Sequence, residues 1–203
     1  MVGLKTPGVL GVGGSPRRGG NSDALLGAVL EGAAEAGAGT EAVFLRDYAF
    51  SSCIGCERCR RDKACTKLMD GMQLLYPKIV AARGLVLVSP AHMYNVTALM
   101  KAFMDRLYCY YDFTDDHPRG YFSRLAGQGR MAVVAGVGEQ TDPRDMGFTV
   151  PAMSIVLPPL GYEVLDELTV LGHFHKSGVL GDALALGAAR KAGLTLGQRL
   201  LET

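Results

Sequence analysis

Short apolar runs rich in valine and leucine recur along the chain at 9–13, 42–45, 84–88, 131–137 and 162–170, each bounded by turn residues. Runs of this length and composition are expected of strands buried on both faces of a parallel sheet. Between them the period changes. Leu25, Leu26, Val29 and Leu30 fall on one stripe of a helix over 22–36, and Leu99, Met100, Phe103, Met104 and Leu107 do the same over 97–107. Two further helices are expected at 69–82 and 180–201, and a third at 145–157 that Pro151 bends or delays. Alternation of this kind predicts an α/β fold, an open doubly wound five-stranded parallel sheet with helices on both faces. Ligands of such sheets lie beyond the carboxyl ends of the strands, which directs attention to the loops after the first, third and fourth.

With 203 residues the chain is long enough for one sizeable core, and it is read as a single domain over 1–203. Its 48% hydrophobic and 20% charged residues place it among globular proteins rather than disordered or fibrous ones. A formal net charge of +1 supplies no bulk attraction to nucleic acid or anionic lipid, so neither is expected as a partner. The segment 1–14 is glycine-broken and followed by Arg17 and Arg18, without a small-residue cleavage site, so no leader is expected there. No run reaches the roughly 18 apolar residues of a membrane span. The expected location is cytoplasmic, where clustered cysteines serve as ligands or redox thiols more often than as disulfides.

The glycine-rich stretch Gly11-Val12-Gly13-Gly14-Ser15-Pro16-Arg17-Arg18-Gly19-Gly20-Asn21-Ser22 leaves the first strand and opens the first helix. A helix start presents unpaired backbone N–H groups and the positive end of its dipole, a natural seat for phosphate. Ser15, Asn21 and Ser22 add side-chain donors and Arg17 a charged fork, which suits a phosphomonoester. A dinucleotide fingerprint would need glycine where Pro16 stands, and the Lys-Ser/Thr ending of a nucleoside-triphosphate loop is absent. The plain alternative is a glycine turn with Asn21 or Ser22 as helix cap.

Cys53, Cys56, Cys59 and Cys65, four of the five cysteines, are spaced CxxCxxCx5C in an insertion loop at about 51–69. A dense run of thiolates lets one loop wrap an iron–sulfur core from several sides. Zinc also takes four thiolates, though its ribbons usually separate two CxxC pairs more widely. A reversible Cys53–Cys56 dithiol, or a loop that binds nothing, are the other readings. Arg58, Arg60, Arg61, Lys63 and Lys67 in the same loop could offset a cluster's negative charge or dock an acidic electron-transfer protein; a solvated basic face is the alternative. Cys109 is read as a packing residue.

The stretch 14–22 resembles the GSPRxxGNT-type phosphate loop of the flavodoxin-like NADPH-dependent FMN reductase superfamily, with Ser22 keeping the hydroxyl of the usual threonine. The stretch 89–106, from Ser89-Pro90-Ala91-His92-Met93-Tyr94 to Lys101-Ala102-Phe103-Met104-Asp105-Arg106, resembles its TPVYxxxxxxxLKxFxDR-type segment. The cysteine spacing is similar to that of the iron-sulfur flavoprotein branch. The resemblance runs from residue 9 to about 200 and implies the flavodoxin-like strand order 2-1-3-4-5. By it, Ser15, Arg17, Asn21 and Ser22 hold the FMN phosphate; Pro90, Ala91, His92, Met93, Tyr94 and Asn95 line the isoalloxazine ring; and Gly136, Val137 and Gly138 close its other edge. It implies a 4Fe-4S cluster on Cys53, Cys56, Cys59 and Cys65. The implied activity is that of an FMN-dependent oxidoreductase of the NAD(P)H-dependent FMN or quinone reductase type, fed by NADPH or NADH. A small-molecule acceptor or ferredoxin takes the electrons; the alternative is an electron carrier exchanging single electrons with ferredoxin. A homodimer or homotetramer is implied as well, and the aromatic stretch Tyr108, Tyr110, Tyr111, Phe113 and Tyr121 would cover the flavin or build a subunit contact. No catalytic side chain is singled out.

Overall fold

A computed structural model describes residues 8–202; residues 1–7, which begin the segment read for a leader and the single-domain range, and residue 203 lie outside the described residues. The strands β1 (Gly8–Gly13), β2 (Gly39–Phe44), β3 (Gly84–Pro90), β6 (Arg130–Val137) and β7 (Tyr162–Val170) form one sheet in the order β2-β1-β3-β6-β7. Every neighbouring pair is parallel, with Val9 opposite both Thr40 and Gly84. Counted within the sheet alone, this is the expected 2-1-3-4-5.

Side chains of the central strands alternate between two cores, as the pleat requires. Leu10, Val12, Leu85, Leu87, Ala132 and Val134 face the layer that holds α3 (Met72–Ala81), α4 (Ala98–Arg106) and α5 (Thr149–Ser154), where Leu75, Ile79, Met100, Phe103 and Met153 are buried. Val9, Val86, Val88, Met131 and Val133 face α1 (Asn21–Glu35) and α7 (Ala183–Glu202), with Leu25, Leu26, Val29, Leu196 and Leu200. The two helices of this second layer touch backbone to backbone. A Cβ on Gly193 would stand 1.8 Å from the Val29 carbonyl oxygen, so only glycine permits the approach.

Several elements depart from the sequence expectation. β2 begins three residues earlier than the apolar run, because Gly39, Thr40 and Glu41 lie exposed on an edge strand and carry no hydrophobic pattern. The helix expected at 145–157 breaks into a 3-10 turn at Pro143–Met146, α5, and the single turn α6 (Leu157–Leu160). Gly147, at φ 49 and ψ −120, interrupts the run, and Pro151 sits in the first turn of α5, where its missing N–H is not needed. An antiparallel hairpin of β4 (Tyr111–Phe113) and β5 (Tyr121–Ser123) was not expected, nor was the short α2 (Arg58–Asp62) inside the cysteine loop. No helix among the described residues is long and apolar enough to cross a membrane.

Candidate functional site

The carboxyl end of the sheet carries a groove built from four loops. In the first, after β1, the Gly14 N–H donates to Val88 O, and the Gly14 carbonyl accepts from Thr97 Oγ1 at 2.6 Å. Thr97 also caps α4 by accepting the Met100 N–H, so one hydroxyl ties the first loop to the start of α4. Arg46, nearly buried, pairs with both oxygens of Asp23 and donates to the carbonyls of Ser15 and Arg17. These bonds turn the loop's carbonyls inward against a fixed cation. At the start of α1, Gly20 offers no side-chain cap, and Ser22 is buried, 2% exposed. Ser15, Arg17, Gly20, Asn21 and Ser22 line a cavity of about 190 Å³ together with Pro90, Ala91, His92, Val137 and Gly138.

A second cavity, of about 380 Å³, shares Ala91, Gly138 and Glu139 with the first and extends along Met93, Tyr94, Gln140, Asp145, Met146 and Leu171. Its wall is a tight turn in which His92 and Asn95 exchange backbone hydrogen bonds at 2.7 and 3.1 Å. Met93 and Tyr94 both adopt left-handed conformations, φ 48 and 60, and Met93 is 91% exposed. Left-handed backbone at two successive non-glycine residues stores strain that the surroundings must hold. The holding contact is the Phe148 N–H, which donates to Tyr94 O at 2.7 Å. That approach requires Gly147, where a Cβ would lie 2.2 Å from Tyr94 O. The variant Gly147→Ala is therefore expected to lose about 2 kcal/mol and to melt about 4–8 °C lower in calorimetry; an unchanged melting temperature would show that the turn does not depend on this contact.

The fourth loop follows β7. His173, Phe174 and Lys176 line the first cavity opposite the loop after β1. The loop is fastened by Asn21, whose amide donates to His173 O and His175 O and accepts from the Val179 N–H.

Away from this groove, Cys53, Cys56, Cys59 and Cys65 line one cavity of about 290 Å³, with Arg106, Tyr108 and Cys109 as its floor. All five cysteines are free thiols. The loop is closed at its neck by Arg106, which donates to both oxygens of Asp70 at 2.7 and 3.0 Å and to Ser51 O at 2.8 Å. Gln73 adds bonds to the carbonyls of Cys65 and Leu68. On the outer side, Arg60 donates to Tyr108 Oη and lies 4.7 Å above the Phe113 ring, while Lys63 pairs with Asp112. Burial pushes the Cys59 thiol above its ordinary value, and the neighbouring Cys65, Cys53 and Cys56 add to the shift, so the four sulfurs sense one another. Burial pushes Cys109 up to about 12, as suits a packing thiol. Among the described residues no three His, Cys, Asp or Glu side chains gather closely enough to hold one metal ion.

Residues 7–140 match the family model described as NADPH-dependent FMN reductase. The chain belongs to that family. An iron-sulfur flavoprotein of Methanosarcina thermophila is 38% identical over 98 residues, covering 48% of this chain and 51% of that protein. One from Archaeoglobus fulgidus is 32% identical over 158 residues, covering 76% of this chain and 66% of that protein. In these alignments the chain spans about half to two thirds of the length of the curated relatives. Among solved structures, the NAD(P)H:quinone oxidoreductase from Methanothermobacter marburgensis superposes with TM-score 0.70 at 20% identity, covering 94% of this chain and 99% of that one. At that identity the likeness speaks for the flavodoxin-like fold alone.

Within the FMN reductase family motifs, the structure distributes the expected residues unevenly. Ser15, Arg17, Ser22, Pro90, Ala91, His92, Val137 and Gly138 share the first cavity, and Met93 and Tyr94 the adjoining one. Asn21 lines the cavity, but both amide N–H groups expected to meet a phosphate are taken by carbonyls of the loop after β7. Gly136 lines neither cavity: its Cα faces inward, where a Cβ would meet Val150 and Met146 at 2.7 and 2.8 Å. Asn95 serves the turn, its side-chain oxygen accepting from the Val96 N–H. Of the basic loop residues, Arg60 lies over the Phe113 ring and Lys63 pairs with Asp112, both in β4. Sequence reading missed His173, Phe174, Lys176 and Glu139. The available signal was the polar run His173-Phe174-His175-Lys176 at the carboxyl end of the last strand.

Proposed function

We propose that the protein is an FMN-dependent oxidoreductase that takes electrons from NADPH or NADH and delivers them to a small-molecule acceptor. The observation that carries this reading is the join between the two cavities. A cation-lined, uncapped helix start opens at Ala91 and Gly138 into a longer slot beside Met93 and Tyr94, the shape of a phosphate seat continued by a ring site. FMN, when bound, accepts hydride and releases electrons one at a time. The chain's own share is placement. Ser15, Arg17 and Ser22 would hold the phosphate, while Pro90, Ala91, His92, Val137 and Gly138 would fix the adjoining part of the flavin and Met93 and Tyr94 would shield one side of the slot from water. The exposed Met93, Tyr94, Phe148 and Phe174 around the rim are consistent with a homodimer or homotetramer whose subunit boundary lies there. Protein reconstituted with FMN is expected to bleach on anaerobic mixing with NADPH or NADH; no bleaching with either donor would defeat direct hydride entry.

One observation favours a second reading, an iron-sulfur flavoprotein carrier that trades single electrons with ferredoxin: four thiols of the spacing CxxCxxCx5C on the wall of a single cavity. An all-thiol donor set is what a 4Fe-4S cluster takes, and Cys53, Cys56, Cys59 and Cys65 would hold it. Protein isolated without oxygen is then expected to be brown, with about four iron and four sulfide per chain, and Cys59→Ala is expected to lose both. A yellow anaerobic preparation free of iron would remove this reading and leave the first standing.

A further inference from the structure

We propose that the loop between β7 and α7 completes the phosphate seat, with Lys176 as its second cation; the proposal rests on the FMN reading above. The loop is not a loose flap. Asn21 bonds it at His173, His175 and Val179, the Ser177 hydroxyl bonds Gly19 O, and the His173 N–H donates to Gly138 O. At its far end His173 Nε2 lies 3.1 Å from Asp182, whose other oxygen accepts the Ala185 N–H at the start of α7. Ser177 holds a left-handed backbone, φ 62, which its bond to Gly19 O helps to keep in place. This fastening brings Lys176 over the loop after β1, its Cε 3.9 Å from where a Cβ on Gly19 would sit.

Charge accounting points the same way. Arg17 and Lys176 line one cavity, and among the described residues neither is in an ion pair, whereas Arg18, Arg46, Lys63, Arg106 and Arg124 each have a carboxylate. A phosphomonoester carries about −1.5 to −2 charges at neutral pH, more than Arg17 alone offsets. Glu139 also lines the cavity, at its junction with the longer slot. Two cations from opposite loops match a dianion, so the strap makes this chain choose FMN over riboflavin.

The test is titration of the apoprotein with FMN and with riboflavin, read by flavin fluorescence. Lys176→Met is expected to weaken FMN binding about tenfold and leave riboflavin binding unchanged, with Lys176→Arg restoring most of the affinity. Lys176 is exposed, so the substitution does not threaten folding. Unchanged FMN affinity in Lys176→Met, or equal losses for both flavins, would overturn the role of the strap while leaving the FMN reading intact. A wild-type protein that binds neither flavin, or both equally, would overturn the phosphate seat and the strap together.

Discussion

Arg106→Leu is expected to lower the unfolding free energy by about 3–5 kcal/mol, read as a fall in the urea midpoint, and to open the cysteine loop to protease. The guanidinium is 2% exposed and holds Asp70 with two hydrogen bonds, the Ser51 and Leu68 carbonyls, and Tyr76 Oη. Leucine would leave the Asp70 carboxylate without its cation and would release both ends of the segment that carries the four cysteines. The double variant Arg106→Leu, Asp70→Leu is expected to recover part of the loss, because an apolar pair no longer strands a charge. The same pair predicts an acid limit. Burial works against the charge of Asp70, but the Arg106 hydrogen bonds and the Ser51 and Met72 N–H groups together hold its carboxyl below the ordinary value. A depressed folded pKa contributes stability that is present above the unfolded value of about 4 and is lost as the pH falls toward the folded one. Wild-type stability should therefore decline below about pH 4, and this part of the decline should vanish in the double variant. Equal urea midpoints for wild type and Arg106→Leu would show that the neck of the loop is held by something else.

Arg106 also marks the limit of what sequence can tell. It closes the segment that resembles the family's TPVYxxxxxxxLKxFxDR pattern, yet its task depends on Asp70, 36 positions earlier, and no local pattern links the two. The central strands were legible because β3 and β6 are buried on both faces and spell valine runs whatever surrounds them. The edge strand β2 was legible only at its buried end. The β4–β5 hairpin was missed although its loop, Asp115-Asp116-His117-Pro118-Arg119-Gly120, is rich in turn residues, because each strand is only three residues long and shows no run of hydrophobic positions; Arg60 over Phe113 and Arg124 on Asp112 and Cys109 O tie it down. The loop after β1 showed its glycines and hydroxyls plainly. What it could not show is that the Asn21 amide also fastens a loop more than 150 positions away, at His173, His175 and Val179.

Arg130→Met is expected to lower the unfolding free energy by about 3 kcal/mol while leaving flavin affinity unchanged. Arg130 begins β6, at the opposite end of that strand from Val137 and the groove, and is 4% exposed. It has no carboxylate partner among the described residues. Its donors go to the carbonyls of Ile79, Val80 and Ala82, the last turn and C-cap of α3, to Tyr162 Oη, and to Gln128 Oε1. The last carbonyls of a helix have no partners of their own and carry the negative end of its dipole, so a forked cation placed there satisfies three acceptors at once. Methionine would fill the space but leave those acceptors unpaired. Lysine, a single ammonium without the fork, should recover only part of the loss. Because no carboxylate takes part, the difference between wild type and Arg130→Met should hold its size from pH 7 down to pH 4, unlike the contribution of Asp70 and Arg106 at lower pH. A loss below about 0.5 kcal/mol would mean that water reaches the end of α3 and that the buried guanidinium is not its cap.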